Sequence, residues 1–186
     1  SRVHPVKGLL DLVEAWALVR QPDWRIVIAG GDEEGYRAKV ESLIQLKGLQ
    51  ADFEFVGFVE GTRKKACFDC ADVFILPTYS ENFGIAVAEA LANNLPVITT
   101  TGAPWSDLVE YRCGWWVEPG IPGISSALRE AMACEPEELM QMGQLGRQLV
   151  ESKYSWKKIG VTSKEVSEWV LDPTRPKPKV VDIHLG

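Results

Sequence analysis

The chain has 186 residues, of which 46% are hydrophobic and 25% are charged, and these values are ordinary for a globular protein with one domain. Its formal net charge of −6 excludes a protein whose whole surface attracts nucleic-acid phosphates, so any phosphate site must be local. No apolar run approaches the roughly 20 residues that a membrane-spanning helix needs.

Strand-like and helix-like segments alternate along the first hundred residues. Short apolar runs that end at Gly or Pro are typical of buried strands, whereas apolar residues at spacings of three and four indicate helices. The pattern predicts strands at 24–29, 53–56, 72–76 and 96–100, and helices at 7–20, 35–46, 64–71 and 85–92. This alternation predicts an α/β fold with a doubly wound, Rossmann-like parallel sheet.

The pattern becomes less regular after residue 101. It predicts a loop at 102–105, a strand at 114–117, and helices at 123–133, 136–153 and 155–171. Pro136 is followed by two acidic residues, which is typical of a helix start. The segment 172–186 contains three prolines, and we predict a flexible tail there after a domain at 1–171.

The four cysteines show no spacing typical of a disulfide framework. Cys67 and Cys70 form a single C-x-x-C, and without a second pair we interpret them as small groups that face the core from a short helix. We expect neither metal binding nor redox chemistry from them. This cysteine usage favours a reducing, cytoplasmic compartment.

The segment 77–92 is the most informative in the chain. The turn 80–84 precedes the predicted helix and would leave backbone amides exposed at its start, where anions bind. Glu81 lies in this turn and Glu89 inside the helix. Because helical side chains lean toward the helix N-terminus, we expect both carboxylates at one mouth, which suits a ligand with hydroxyls and phosphates.

A purely structural interpretation of these acids is the alternative. Glu81 would then complement the helix dipole, and Glu89 would be a solvated helix residue. However, Glu89 stands among alanine, valine and leucine, and a carboxylate in apolar surroundings needs a partner. The apolar neighbours therefore favour a functional role.

Ligands of doubly wound sheets bind outside the carboxyl ends of the strands. The loops there are 30–32, 57–59, 77–84 and 100–104; all contain glycine, and only the third contains the paired acids. The chain lacks G-x-G-x-x-G after a strand and lacks G-x-x-x-x-G-K-[ST]. These absences disfavour a nicotinamide dinucleotide and exclude a P-loop.

At these residues the sequence resembles the retaining nucleotide-sugar glycosyltransferases of the GT-B fold, family four (glycosyl transferases group 1). The resemblance covers 1–171 and rests on an ordered set of motifs: Arg2-x-x-x-x-Lys7-Gly8, Ile28-Ala29-Gly30, Phe55-x-Gly57-x-Val59, Ala71-Asp72-Val73-Phe74-Ile75-Leu76-Pro77, the block from Glu81 to Glu89, Pro96-Val97-Ile98 and Gly114-Trp115-Trp116-Val117. Ser80 to Gly84, Ala103-Pro104-Trp105 and Gly114 to Val117 also resemble the branch that builds lipopolysaccharide and exopolysaccharide.

The resemblance implies the C-terminal, donor-binding half of a two-domain GT-B enzyme. An acceptor-binding N-terminal domain would precede Ser1, and Arg2 would directly follow a strand of this sheet. The expected partners are a nucleotide sugar, with uridine as the commonest base, and a glycan or lipid-linked acceptor, but no nucleic acid. We expect a cytoplasmic enzyme that can associate with the inner face of the membrane. The chain lacks the D-x-D metal site of the other major glycosyltransferase fold, so we expect no metal and no cofactor.

The resemblance also implies roles for individual residues. Arg2 and Lys7 would bind the donor diphosphate and, with Glu81 at the sugar ring, form the catalytic set; Glu89 would bind the ribose hydroxyls. The remaining donor-binding residues would be Gly30, Gly57 and Val59 against the nucleoside, Lys64 near the phosphates, and the backbone of Asn82, Phe83, Gly84 and Ile85 around the sugar and diphosphate.

Some positions depart from the family pattern. Many relatives have glycine where this chain has Asn82, so sugar selectivity is open. Asp107 stands where relatives often have glutamate, and we assign it no role. Trp115 and Trp116 are interpreted as packing residues. A catalytically silent nucleotide-binding module is the main alternative function, and an epimerase or phosphorylase on the same architecture is a third.

Overall fold

A computed structural model describes residues 2–172 and 174–178 and the side chains within them apart from those of residues 156–159. The strands are β1 (Ile26–Ala29), β2 (Phe53–Gly57), β3 (Phe74–Leu76), β4 (Val97–Thr100) and β5 (Gly114–Val117). The helices are α1 (Leu9–Val19), α2 (Tyr36–Leu46), α3 (Gly61–Asp69), α4 (Ile85–Ala92), α5 (Asp107–Glu110), α6 (Ile121–Ala133), α7 (Pro136–Lys153) and α8 (Trp156–Leu171), and a 3₁₀ turn at Pro5–Lys7 precedes α1.

The predicted α/β alternation is confirmed, and the differences are shifted element ends, one divided helix and one short additional helix. The helix predicted at 7–20 is divided, because Gly8 adopts a left-handed conformation between the 3₁₀ turn and α1. The helix predicted at 64–71 begins three residues earlier, at Gly61. The short helix α5 was not predicted, because four residues are too few to show a helical period.

All strand pairings are parallel, as predicted, but in the described residues they form two sheets. One sheet contains β1 and β2, with Ile26 opposite Phe53. The other has the order β3-β4-β5, and Ile98 of β4 lies between Ile75 and Trp115. Parallel strands place their carboxyl ends at one edge of a sheet, so the loops that follow them lie on the same side.

The N-terminal segment connects the two sheets at that edge. Val3 forms a parallel bridge with Asp32, just beyond β1, and its amide donates to the Gly31 carbonyl over 2.8 Å. Three residues later, the Val6 carbonyl accepts from the Tyr79 amide over 2.8 Å, just beyond β3. The segment 3–6 therefore runs between the extensions of β1 and β3.

Two apolar clusters hold the helices against the sheets. The first joins α1, α2 and α6 to β1 and β4, and its most buried members include Val13, Trp16, Val40, Ile98 and Ile124. The second joins α4 and α7 to β3 and β4, and its most buried members include Val87, Leu91, Val97, Trp105, Leu108 and Leu149. Each fully buried large side chain contributes about 1.5–3 kcal/mol.

The prediction that both cysteines of the C-x-x-C face the core is wrong. Cys70 is exposed because it follows the last residue of α3, and Cys67 is half-buried. The predicted tail at 172–186 falls partly outside the described residues, which omit 173 and 179–186. Within 174–178 no helix or strand occurs. Among the described helices, none combines the length and the apolar character that crossing a membrane requires.

The packing of Gly8 gives a stability prediction. Gly8 has a φ of +65°, and a Cβ atom there would overlap the Pro77 carbonyl oxygen. We expect Gly8→Ala to lower the free energy of unfolding by about 3 kcal/mol, because left-handed strain and a backbone clash add.

Gly35→Ala is the matched control. Gly35 also precedes a helix, with a φ of +71°, but a Cβ there would meet no atom within 4 Å. Gly35→Ala should lower the free energy of unfolding by only about 1 kcal/mol. Urea unfolding of both variants measures the difference, and equal losses would contradict the importance of the Gly8–Pro77 contact.

Candidate anion-binding site

The candidate site consists of the loops at the carboxyl ends of the strands. The loop after β3, residues 77–84, lies at its centre because other segments bind it from two sides. On one side Thr78 donates its hydroxyl to the Val6 carbonyl over 3.0 Å. On the other side the Glu81 amide donates to the Gly102 carbonyl over 2.8 Å. The backbone of this loop is thereby fixed before any ligand arrives.

Lys7 and Glu81 form a largely buried ion pair in this loop. The Lys7 ammonium donates to Glu81 Oε1, and the two side chains are only 11% and 17% exposed. The 3₁₀ turn and the close contact of Gly8 with Pro77 position Lys7. The structure therefore brings together two residues that are 74 positions apart and that the sequence assigned to the catalytic set.

The N-terminus of α4 directly follows the same loop. Gly84 precedes the helix with a φ of +79°, and no side chain caps the first turn. That turn also contains no acidic residue, so the amide groups and the positive end of the helix dipole are not neutralised within it. Asn82 and Ile85 are exposed beside it. This arrangement suits an anion.

Glu89 pairs with Lys64 rather than lying isolated on α4. The Lys64 ammonium is 2.5 Å from Glu89 Oε1, and both side chains are 37% exposed. The first half of α3 supplies the lysine. A protein side chain is therefore the partner of Glu89, and it belongs to a residue that was predicted to lie at the phosphates. Each of the two carboxylates that bracket the start of α4 in the chain is thus paired with a lysine, Glu81 in the turn before the helix and Glu89 one turn into it.

The other predicted donor-binding residues lie in adjacent loops. The Gly30 amide donates to the Gly57 carbonyl over 2.8 Å, so the loops after β1 and β2 are joined, and Val59 is half-buried nearby in the chain. Arg2 is exposed, and its ion pair is with Glu33 at 2.8 Å. In the described structure Arg2 therefore pairs with a carboxylate of the loop after β1, whereas Lys7 pairs with Glu81.

An aromatic group behind the turn was not predicted from the sequence. The Trp105 indole nitrogen donates to the Phe83 carbonyl over 2.5 Å, and the rings of Phe83, Trp105 and Tyr154 lie 5.1–5.4 Å apart. Trp105 belongs to the motif Ala103-Pro104-Trp105. However, no local sequence pattern connects it to Phe83 and Tyr154, which are 22 and 49 positions away.

Asp107 joins this group to the end of α7. Its carboxylate accepts hydrogen bonds of 2.8 Å from both Lys153 and Tyr154. Burial alone would raise the pKa of Asp107, but these two hydrogen bonds and the lysine charge hold the pKa below its ordinary value. Burial and the hydrogen bond to Asp107 raise the pKa of Tyr154 to about 12. Asp107, to which the sequence gave no role, is therefore a structural acceptor.

Comparisons with known proteins show the family to which the chain belongs. The family model for glycosyl transferases group 1 matches residues 1–149. An uncharacterized glycosyltransferase of Methanocaldococcus jannaschii, MJ1607, is 32% identical over 125 residues, which cover 66% of this chain and 31% of that protein. The chain spans 22% to 40% of the length of the curated relatives that it matches.

Two solved structures share the fold. The C-terminal domain of a glycosyl transferase group 1 family protein, LpcC from Francisella tularensis, matches with a TM-score of 0.73 and 25% identity over 83% of each chain. Alr3699/HepE from Anabaena, solved in complex with UDP, matches with a TM-score of 0.79 and 21% identity over 90% of this chain and 47% of that chain.

The carboxylate of Asp107 gives a pH prediction. Because its pKa is lower in the folded state than the ordinary value of 3.8, its contribution to stability is present above that value and is lost as the pH falls through the folded pKa. Asp107→Asn should cost about 1–2 kcal/mol at neutral pH, and the difference from the parent chain should shrink below about pH 4.

Urea unfolding at several pH values measures this dependence. Glu54→Gln is a suitable control, because Glu54 is an exposed residue of β2. A difference between Asp107→Asn and the parent chain that stays constant into the acid range would contradict the assigned role of the carboxylate.

Proposed function

We propose that this chain, which belongs to the glycosyl transferases group 1 family, is the donor-binding domain of a retaining glycosyltransferase that uses a nucleoside-diphosphate sugar. The observation that carries the proposal is the uncapped N-terminus of α4, flanked by the Lys7–Glu81 and Lys64–Glu89 pairs. A diphosphate needs positive charge and amide donors, whereas a sugar and a ribose need carboxylate acceptors. All of these groups occur within one loop and the helices next to it.

The diphosphate would bind at the start of α4 with Lys7 beside it. A hydrogen bond between charged groups contributes about 1.5–3 kcal/mol, and a helix N-terminus contributes up to about 2 kcal/mol. As the sugar leaves, negative charge grows on the diphosphate, so these groups stabilise the transition state more than the ground state. We propose that they do so with no divalent metal, as the family resemblance implies.

The two carboxylates would accept hydrogen bonds from hydroxyl groups of the donor. Glu81, in the turn, would accept from the sugar ring, and Glu89, one turn into the helix, would accept from the ribose. In the ligand-free pairs each carboxylate is bound by a lysine, and the donor would replace one interaction of each pair with its own. Arg2 would contribute to the diphosphate site only after leaving Glu33, which its exposed position permits.

Uridine diphosphate is the proposed nucleotide. A protein of the same fold, Alr3699/HepE, was solved with UDP, which supports the choice without fixing the sugar. The proposed pathway is the synthesis of bacterial lipopolysaccharide or exopolysaccharide, on the strength of the motifs at 80–84, 103–105 and 114–117. The acceptor would be a glycan or a lipid-linked sugar at the inner face of the membrane.

A separate acceptor-binding domain would complete the enzyme. The relatives are longer than this chain, which spans at most 40% of the curated ones compared above. The segment 3–6 runs between the extensions of β1 and β3, which supports the expectation that a strand leading into Arg2 lies between the two sheets. We propose that the domain described here therefore binds the donor but transfers no sugar by itself.

Calorimetry with UDP tests the donor site. We expect the chain to bind UDP and Lys7→Met to weaken that binding by roughly ten- to a hundredfold, because a charged hydrogen bond is removed. Lys47→Met is the matched control, since Lys47 pairs with Glu14 at the end of α2 and should leave affinity unchanged. Equal UDP affinity in both variants would contradict the assigned site.

Transfer assays in the full-length enzyme test the catalytic role. Glu81→Gln should lower kcat/KM by at least about a hundredfold, as loss of a transition-state contact does in other enzymes. Glu89→Gln should mainly raise the donor KM. A catalytically silent module would show no effect of Glu81→Gln on transfer.

NMR of the product tests the retaining mechanism, because an inverted anomeric configuration in the product would exclude retention.

A further inference from the structure

We propose that Trp105 is a positioning residue that orients the Gly84 amide toward the donor diphosphate, and that Tyr154 and Asp107 support it. This inference rests on the proposed function and deepens it. The family resemblance already implies that the Gly84 backbone faces the donor, but neither the resemblance nor the comparisons assign Trp105, Tyr154 or Asp107 to the site.

The geometry around the Phe83–Gly84 peptide is the first step. Trp105 is fully buried, and its indole nitrogen donates to the Phe83 carbonyl over 2.5 Å. In a trans peptide the carbonyl and the following amide point in opposite directions. A carbonyl that is fixed toward the buried indole therefore turns the Gly84 amide away from the indole, immediately before α4 begins.

Gly84 itself is constrained by the same indole. A Cβ atom at this position would lie 3.2 Å from the Trp105 nitrogen, and the φ of +79° is strained for any residue with a side chain. The indole therefore packs directly against Gly84, and residue 84 is itself buried. Because this residue is glycine, no side chain of its own stands between its amide and a ligand.

The support for Trp105 comes from the end of α7. Tyr154 lies 5.1 Å from Trp105 and 5.4 Å from Phe83, measured between ring centroids, and its hydroxyl donates to Asp107. The helix α7 is held against α4 by close contacts of Gly143 with the Asn94 carbonyl and of Gly146 with Leu91. The far end of α7 and the start of α4 are consequently parts of one packed unit.

A second tryptophan fixes the loop that carries Trp105. The Trp116 indole nitrogen donates to the Ala103 carbonyl over 2.8 Å, and the Trp105 amide donates to the same carbonyl over 2.8 Å. The position of the indole is therefore set from β5, from α5 and from α7. Many groups converge on one hydrogen bond, which is the arrangement expected for a preorganised binding amide.

The experiment compares Trp105→Phe with the parent chain. Phenylalanine keeps an aromatic ring but removes the N–H donor, so the Phe83 carbonyl loses its partner. NMR titration of the 186-residue chain should give a UDP affinity about three- to tenfold weaker, as one lost hydrogen bond predicts, whereas uridine affinity should stay within twofold. The Gly84 amide resonance should also shift in the ligand-free variant.

Trp115→Phe is the matched control. Its indole nitrogen bonds to the exposed Glu130 at 3.1 Å, remote in the chain from the turn, so neither ligand affinity nor the Gly84 resonance should change. If Trp105→Phe does not fold, Tyr154→Phe replaces it. That variant removes only the hydroxyl bond to Asp107 and should weaken UDP binding by about twofold while leaving uridine binding unchanged.

Two results would overturn the inference. Wild-type UDP affinity together with an unchanged Gly84 resonance in the variant would show that Trp105 only packs. A parallel loss of UDP and uridine affinity would show general disruption of the domain. A parent chain that binds no UDP, but whose Gly84 resonance still depends on Trp105, would instead contradict the proposed function alone.

Discussion

The docking of the N-terminal 3₁₀ turn onto the loop after β3 is the interaction on which the rest of the site depends. The Val6 carbonyl accepts two hydrogen bonds from that loop, and Gly8 approaches the Pro77 carbonyl more closely than any other residue type would permit. These contacts join the segment that carries Lys7 to the segment that carries Glu81. They also connect the two sheets, so the backbone contacts that stabilise the fold also position the two charged residues of the candidate site.

The buried ion pair between Lys7 and Glu81 contributes more to the fixed geometry of the candidate site than to the free energy of folding. Removing two charges from water costs several kcal/mol per ion, and mutual attraction offsets this cost only when the geometry is good. The pair nevertheless holds both side chains in one orientation in the ligand-free structure. The aromatic group of Phe83, Trp105 and Tyr154 provides the corresponding apolar support on the other side of the turn.

The sequence predicted the elements well where periodicity and turn residues agreed. The predicted strand at 114–117 is observed with the same bounds, and so is the helix predicted at 136–153. The division into two sheets was not predictable, because strand periodicity does not specify neighbours. In the candidate site, the family motifs nominated Lys7, Glu81 and Glu89, and the resemblance added Lys64, but the sequence did not show which lysine meets which carboxylate. The hydrogen bonds of Trp105 to Phe83 and of Asp107 to Lys153 and Tyr154 were not predicted, because these partners lie far away in the chain.

The two lysine–carboxylate pairs have a consequence for how a ligand is captured. Each cation near the start of α4 is already neutralised at close range, and the protein as a whole carries a charge of −6. With the proposed function, a negatively charged nucleotide would therefore experience little long-range attraction as it diffuses toward the start of α4, and electrostatic steering would contribute little to its rate of encounter. Recognition would begin only at contact, when groups of the donor replace the lysine–carboxylate interactions.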